Sequence, residues 1–304
     1  MAVPLPLVSV LMITYLHENF IEEAIEGVLM QECDFEIELI IANDCSPDNT
    51  HKIIQSILKS HPKANRIKYF RHEKNLGMMP NFLFGLNEAK SKYIALCEGD
   101  DYWIDPLKIQ KQVDFLQNNE RFVITYHDAI KIDNNGNLLQ EKILTERNAK
   151  DYSAFELKRA PHILTLTILF RNVIKEYPSE INNVINGDTF LFSILGNYGE
   201  GKFMPEVGNA AYRKHINGVW SSVGRENRIK HQLKTYLNLI EFYNKADDKE
   251  IQYHFNIKAS IRYKMLILFY LKKLRLIKSL SNGIKLMKIF ITLRRLKKTE
   301  TEMR

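Results

Sequence analysis

Tyr93-Ile94-Ala95-Leu96-Cys97-Glu98-Gly99-Asp100-Asp101-Tyr102-Trp103 is a short apolar run that ends in three carboxylates within four residues. The apolar half has the length and composition of a buried strand, so the acidic group stands at a strand end. Three carboxylates so close repel one another unless a cation or a cationic partner sits among them. Oxygen donors suit Mg2+ or Mn2+, ions that keep several waters and bridge protein carboxylates to phosphates. A solvated acidic turn would need no ion, but the buried strand leading in and the two aromatic residues following favour the metal.

Working outward, the same kind of run recurs over residues 8–15, 38–42 and 67–70, with helical periodicity over 19–30, 48–58 and 80–89 between the runs. Short β-branched runs alternating with helices are the pattern of βαβ units around a parallel sheet. The second helix opens on Ser46-Pro47-Asp48, where Ser46 or Asp48 can cap free N–H groups and Pro47 suits a first turn. Beyond the acidic group, 106–116 reads as helix, 122–130 as a strand, Asn134-Asn135-Gly136-Asn137 as a turn, 163–170 as a strand and 188–195 as a helix. In an open parallel sheet ligands gather at the carboxyl ends of the strands. Thr14 and Tyr15 close the first strand, Asp44 follows the second, and Asp100 and Asp101 follow the fourth.

With 304 residues and 45% apolar composition the chain can bury a sizeable core. Cys33, Cys45 and Cys97 are odd in number and scattered, which points away from a disulfide framework and toward a reducing cytoplasm. Met1-Ala2-Val3-Pro4-Leu5-Pro6 lacks the basic start and apolar core of an export signal. Residues 257–304 hold 14 Lys or Arg against two Glu, a surplus of +12 in a chain of net +7, so the first 256 residues carry −5. The longest apolar run there, 265–271, is far short of the roughly 20 residues that span a bilayer. Lys and Arg punctuating Leu, Ile and Phe at helical spacing suit a helix on an anionic membrane surface, or one packed on the body.

Taken in order, Val8-Ser9-Val10-Leu11-Met12-Ile13-Thr14-Tyr15, Asn43-Asp44-Cys45-Ser46-Pro47-Asp48-Asn49-Thr50, Asn75-Leu76-Gly77 and Glu98-Gly99-Asp100-Asp101-Tyr102-Trp103 resemble family 2 glycosyltransferases of the GT-A fold. Two later fragments fit as well, Gly187-Asp188-Thr189-Phe190 and Tyr212-Arg213-Lys214-His215 with Gly218 and Ser221. The resemblance implies an inverting, metal-dependent enzyme that moves a sugar from a nucleotide-sugar, UDP favoured, to a saccharide or lipid-linked acceptor in surface polysaccharide synthesis. Hexosyl and N-acetylhexosaminyl transfer are both within its range. It implies that Tyr15 and Asp44 contact the nucleobase, with Thr14 beside them, and that Asp100 and Asp101 face the ribose and the Mn2+ or Mg2+ diphosphate. His215 would lie near the metal and Asp188 would deprotonate the acceptor. Glu98, Asn75 and Arg213 would stand one step behind. His17 and Lys74 fall on the same loops and receive no role.

Departures from the family pattern bear on the donor. Ile13-Thr14-Tyr15-Leu16 replaces the usual Pro-Thr-Tyr-Asn, Asn43-Asp44 replaces Asp-Asp, and Glu98 is longer by one methylene than the usual acid. Neither the Gly-rich dinucleotide fingerprint nor the Walker loop is present, which excludes a dehydrogenase and an NTPase of those types. A sugar-phosphate nucleotidyltransferase shares the metal and nucleotide, but its Gly-rich basic loop is missing. A non-catalytic sugar-nucleotide-binding module would not need Asp188. Nucleic acid is not expected, since no motif for it accompanies the basic tail. The expected organisation is an α/β GT-A domain over residues 1–220, a mostly parallel sheet flanked by helices, then a basic amphipathic helical region over 221–304. The enzyme is placed in the cytoplasm, peripheral on the inner face of the membrane.

Overall fold

The apolar runs over 8–15, 38–42 and 93–97 become central strands buried on both faces, and the run over 67–70 becomes an edge strand with only Ile67 buried. The computed structural model describes residues 6–215, 218 and 223–302. In chain order these form β1 (Val8–Thr14), α1 (Ile21–Leu29), β2 (Ile37–Asn43), α2 (Thr50–Ser60), β3 (Ile67–Arg71), α3 (Met78–Glu88), β4 (Tyr93–Leu96), β5 (Tyr102–Trp103), α4 (Lys108–Asn118), β6 (Phe122–Tyr126), β7 (Ala129–Ile132) and β8 (Leu138–Gln140). There follow α5 (Ala154–Lys158), β9 (Leu169–Arg171), α6 (Gly187–Leu195), β10 (Glu200–Phe203), β11 (Ala210–Arg213), α7 (Arg225–Lys245), α8 (Lys249–Lys272) and α9 (Leu276–Glu302). The chain divides into two compact units, Met1–Lys175 with Phe192–Ser221, and Glu176–Leu191 with Ser222–Arg304.

In the first unit the described strands form a seven-stranded sheet of order β10-β6-β9-β4-β1-β2-β3. β3, β2, β1 and β4 pair in parallel, as the alternating pattern requires, and β9 alone runs against its neighbours β4 and β6. All seven residues of β2 are buried, which explains a strand that reads as a continuous apolar run. The one carboxylate in it, Glu38, accepts from Ser9 Oγ at 2.5 Å and pairs with Lys68 Nζ at 2.5 Å. Helix α1 buries Ile21, Ala24, Ile25, Val28 and Leu29, an i, i+3, i+4, i+7, i+8 stripe. Gly27 on it has no room for a side chain, because a Cβ there would lie 2.9 Å from the Trp103 nitrogen. Glycine thus brings α1 onto β5.

Three local expectations change. Residues 122–130 make two strands in two sheets, β6 in the large one and β7 in the four-stranded sheet β5-β11-β7-β8. Asp128 causes the break, since its Oδ1 accepts the N–H groups of Ala129, Ile143 and Leu144 at 2.8–3.0 Å. Over residues 163–170 a 3-10 turn at Thr165–Thr167 precedes the strand, closed by Thr167 Oγ1 donating to Leu164 O at 2.8 Å. Helix α2 starts at Thr50, two residues later than the pattern suggests: Asp48 Oδ1 accepts the Thr50 N–H at 3.1 Å as a cap, while its Oδ2 accepts the Glu18 N–H and Ser46 Oγ the Leu16 N–H.

The second unit holds α7, α8 and α9. Glu226 at the start of α7 accepts from Lys230 Nζ at 2.6 Å and from Tyr270 OH, near the end of α8, at 2.8 Å, so the two helices run antiparallel. Tyr236, Tyr243 and Phe255 stack between them, with ring centroids 5.9 and 6.0 Å apart. In α9, Ser279 and Ile289 point inward, yet Ile277, Leu280, Ile284, Met287 and Ile291 are all more than half exposed. That helix therefore leaves a stripe of apolar side chains uncovered. Among the described residues no helix is long and apolar enough to cross a membrane.

Candidate functional site

Backbone bonding carries the ladder of β1 past the ends of its neighbours. Cys97 N–H donates to Leu11 O at 3.1 Å, Gly99 N–H to Ile13 O at 3.0 Å and Asp44 N–H to Thr14 O at 3.0 Å. The loops after β1, β2 and β4 thus share one rim of the sheet, the place where such sheets bind ligands. Two of them turn sharply through left-handed residues, Leu16 at φ 62° and Cys45 at φ 57°. They are buttoned together by Leu16 N–H to Ser46 Oγ at 3.2 Å and His17 N–H to Thr50 Oγ1 at 3.1 Å.

Three side chains converge on this rim. His215 Nε2 lies 2.8 Å from Asp100 Oδ2, and His17 Nε2 lies 3.8 Å from the same oxygen. One donor atom from each of the three falls within 4.8 Å of the others, spacing that a single divalent ion can bridge. The Phe20 ring packs on the His215 ring at 4.9 Å and keeps it buried. Burial holds the His17 pKa below its ordinary value although Asp100 pulls the other way. Burial pushes the Asp100 carboxyl up, but the facing His17 and His215 outweigh it and hold it below the usual range. A carboxylate facing imidazole nitrogens is a donor set that a divalent metal takes.

Asp101, which the sequence reading assigned to the metal, stands outside this trio. Its Oδ1 accepts the Arg213 N–H at 2.8 Å, and burial, with the Asp100 and Glu98 charges added, pushes its pKa well above the ordinary value. Asp101 ties the acidic loop to β11. Arg213 completes the tie by donating to Asp100 O at 3.2 Å and to Asp133 O at 3.3 Å, and by pairing with Glu23. The half-buried Glu98 acts on Asp101 through its charge. Trp103, 1% exposed, anchors the loop from behind, donating from Nε1 to Leu166 O at 2.7 Å. Lys108 Nζ sits 4.1 Å over its ring, and burial drops the Lys108 pKa to about 7.

The remaining candidates sort by place. Asp44 is buried, and its two oxygens accept the Leu76 and Gly77 N–H groups at 2.6 and 2.9 Å, so it joins the β2 loop to the 75–77 turn. Asn75 Oδ1 accepts from Gly77 N–H at 3.0 Å, a turn contact. Tyr15 is exposed on the rim, and buried Thr14 has its Oγ1 3.2 Å from His17 Nδ1. Asp188 lies in the first turn of α6, where its Oδ1 accepts the Thr189 N–H at 2.6 Å. Gly218 N–H donates to His215 O at 3.2 Å, and Ser221 lies outside the described residues. His17 is the residue that the sequence reading left without a role. Its signal was the spacing from Thr14, three residues on in a loop that must turn back over the strand end.

The family described as "Glycosyl transferase family 2" matches residues 9–177. Among relatives, the uncharacterized protein Rv1520 of Mycobacterium tuberculosis is 34% identical over 230 residues, 72% of this chain and 62% of its own. The chain thus spans less than two thirds of that relative. The uncharacterized glycosyltransferase MJ1057 of Methanocaldococcus jannaschii is 34% identical over 139 residues, 45% of this chain and 46% of its own. Among solved structures, S. aureus TarS 1-349 in complex with UDP-GlcNAc superposes with TM-score 0.58 at 16% identity, covering 94% of this chain and 91% of that one. The mannosyltransferase PcManGT from Pyrobaculum calidifontis in complex with GDP-Man and Mn2+ gives TM-score 0.56 at 13% identity, covering 95% and 87%. The fold is that of the GT-A glycosyltransferases.

Proposed function

The chain belongs to glycosyl transferase family 2, and on that premise we propose that it is a metal-dependent, inverting glycosyltransferase working from a nucleotide-sugar, UDP-linked by preference. The observation that carries this reading is the meeting of Asp100 and His215 at the strand ends, His215 Nε2 lying 2.8 Å from Asp100 Oδ2. TarS with UDP-GlcNAc and PcManGT with GDP-Man and Mn2+ support a sugar nucleotide as donor and Mn2+ or Mg2+ as the ion.

In this reading Tyr15 stacks on the nucleobase, and Asp44, rigid through its two backbone contacts, accepts a base N–H with its remaining lone pairs. Thr14 supports the ribose side, and Glu98 reaches toward the ribose. Asp100 and His215 hold the ion, while Asp101 and Arg213 keep Asp100 in place. A divalent ion held there would offset charge on the departing diphosphate, worth several kcal/mol. Asp188 takes the proton of the acceptor hydroxyl, whose oxygen attacks the anomeric carbon as the bond to the diphosphate breaks, inverting the configuration. A positioned base contributes roughly 10²–10⁴-fold.

The acceptor is a saccharide or lipid-linked saccharide of surface polysaccharide synthesis, and the enzyme works on the inner face of the cytoplasmic membrane. The exposed α9 stripe of Ile277, Leu280, Ile284, Met287 and Ile291 supports this, since Lys288, Arg294 and Arg295 flank it and no acidic residue occurs from 251 to 298. The wild type should sediment with phosphatidylglycerol vesicles and Leu280→Glu/Ile284→Glu should not; equal sedimentation would remove the membrane from the account. For the reaction, sugar transfer from UDP-, dTDP- and GDP-sugars is followed by proton NMR of the new anomeric centre. Asp188→Asn should bind donor and transfer nothing; wild-type turnover in that variant would refute the base.

A further inference from the structure

The second histidine of the trio, His17, lies beyond the Asp100 and His215 pair on which the proposed function rests, and this step depends on that pair holding a divalent ion. We propose that His17 is a third protein ligand, so that the centre is built from two imidazoles and one carboxylate and selects Mn2+, Fe2+ or Co2+ over Mg2+.

Both histidines present Nε2 to one oxygen, Asp100 Oδ2, at 2.8 and 3.8 Å. Neighbouring donors on an octahedral ion with bonds of about 2.1 Å stand about 3 Å apart, and opposite ones about 4.2 Å. The two separations from Asp100 Oδ2, 2.8 and 3.8 Å, fall at or below that span, and the trio as a whole lies within 4.8 Å, so a contraction of about 0.6 Å at most brings all three onto one ion. The other ring nitrogen of His17, Nδ1, lies 3.2 Å from Thr14 Oγ1. With the proton on Nδ1 and donated to that oxygen, Nε2 keeps a lone pair facing Asp100, the outer hydrogen bond that metal-bound histidines make. The backbone fixes this placement, because His17 N–H is held by Thr50 Oγ1 at 3.1 Å.

Gly99 makes the approach possible. A Cβ on it would sit 2.9 Å from His17 Nδ1 and 2.8 Å from Thr14 Oγ1, so only glycine lets the acidic loop close on the His17 loop. The chemical consequence follows from ligand type. Mg2+ prefers an all-oxygen sphere and holds its waters, whereas imidazole nitrogen suits the later divalent ions.

The test uses the full chain with Mn2+ alone and then Mg2+ alone, by calorimetry, and pulsed EPR of bound Mn2+ in protein labelled with 15N-histidine. The wild type should show two coupled histidine nitrogens and His17→Gln one. Mn2+ affinity of His17→Gln should fall by at least the 10–100-fold typical of outer partners. His17→Asp restores a ligand as an oxygen, so it should bind Mn2+ with one coupled nitrogen and narrow the Mn2+ over Mg2+ preference; it serves also if the Gln variant folds poorly. A single histidine nitrogen in the wild type, with Mn2+ affinity unchanged in His17→Gln, overturns this inference and leaves the Asp100 and His215 centre standing. No Mn2+ binding by the wild type overturns both.

Discussion

Gly99→Ala adds one methyl at the point where the acidic loop meets the end of β1. The backbone there lies outside the left-handed region, so alanine meets no torsional penalty and the effect is steric alone. Its Cβ would fall 2.8 Å from Thr14 Oγ1, 2.9 Å from Thr14 Cβ and 2.9 Å from His17 Nδ1, where ordinary contact begins at 3.4 Å. About 0.5 Å must be absorbed on two sides at once. Thr14 cannot yield easily, being β-branched, buried and the last residue of β1. The displacement falls on His17 and on Asp100, next in the chain.

Overpacking of this kind costs about 1–3 kcal/mol, which for a unit of this size lowers Tm by roughly 2–12 °C. A metal site tolerates about 0.2 Å in its bonds, so the same shift should weaken Mn2+ binding by about tenfold or more. Thermal melts and Mn2+ calorimetry on the variant read the two effects separately. Wild-type Tm together with wild-type Mn2+ affinity would show that the two loops do not meet as described, and the reasoning would fail.

Other perturbations probe neighbouring parts of the argument. Lys108 has its pKa lowered to about 7 by burial, against about 10.4 unfolded, so between pH 7 and 10 the unfolded chain binds more protons and stability rises with pH. Lys108→Met should flatten that slope in denaturant titrations at several pH values; an unchanged slope would mean the amine is not buried. Arg213→Lys loses the planar fork that serves Asp100 O, Asp133 O and Glu23, and should cost about 2–4 kcal/mol by urea unfolding. A loss within experimental error would deny Arg213 its organising part. Leu16 sits at φ 62°, where asparagine is at ease and leucine is not. Leu16→Asn should stabilise by about 0.5–1 kcal/mol, and destabilisation would mean that the packing of the leucine side chain outweighs the strain.

Much of this architecture could be read from local pattern. The parallel core was visible because β1, β2 and β4 are buried on both faces and therefore spelled as continuous apolar runs. Loops were harder, because side chains there answer to distant partners. Asp128 splits a run that looks like one strand, and Ser46 looks like a cap for α2 while its hydroxyl serves the loop after β1. The same limit separates Asp100 from Asp101. Adjacent residues on a turn point to different sides, and only the arrival of β11, more than 100 residues later, decides which carboxylate faces His215 and which accepts a backbone N–H. His17 could be placed near the rim but given no role for this reason, since a histidine on a rim becomes a ligand only through what closes over it.

The most direct test of the account is calorimetric binding of UDP, dTDP and GDP, each with and without Mn2+, to the wild type, Asp100→Ala and His215→Ala. One nucleotide should bind the wild type only with Mn2+ present, and neither variant should bind it. Nucleotide binding that needs no metal and survives both substitutions would contradict the account at its centre.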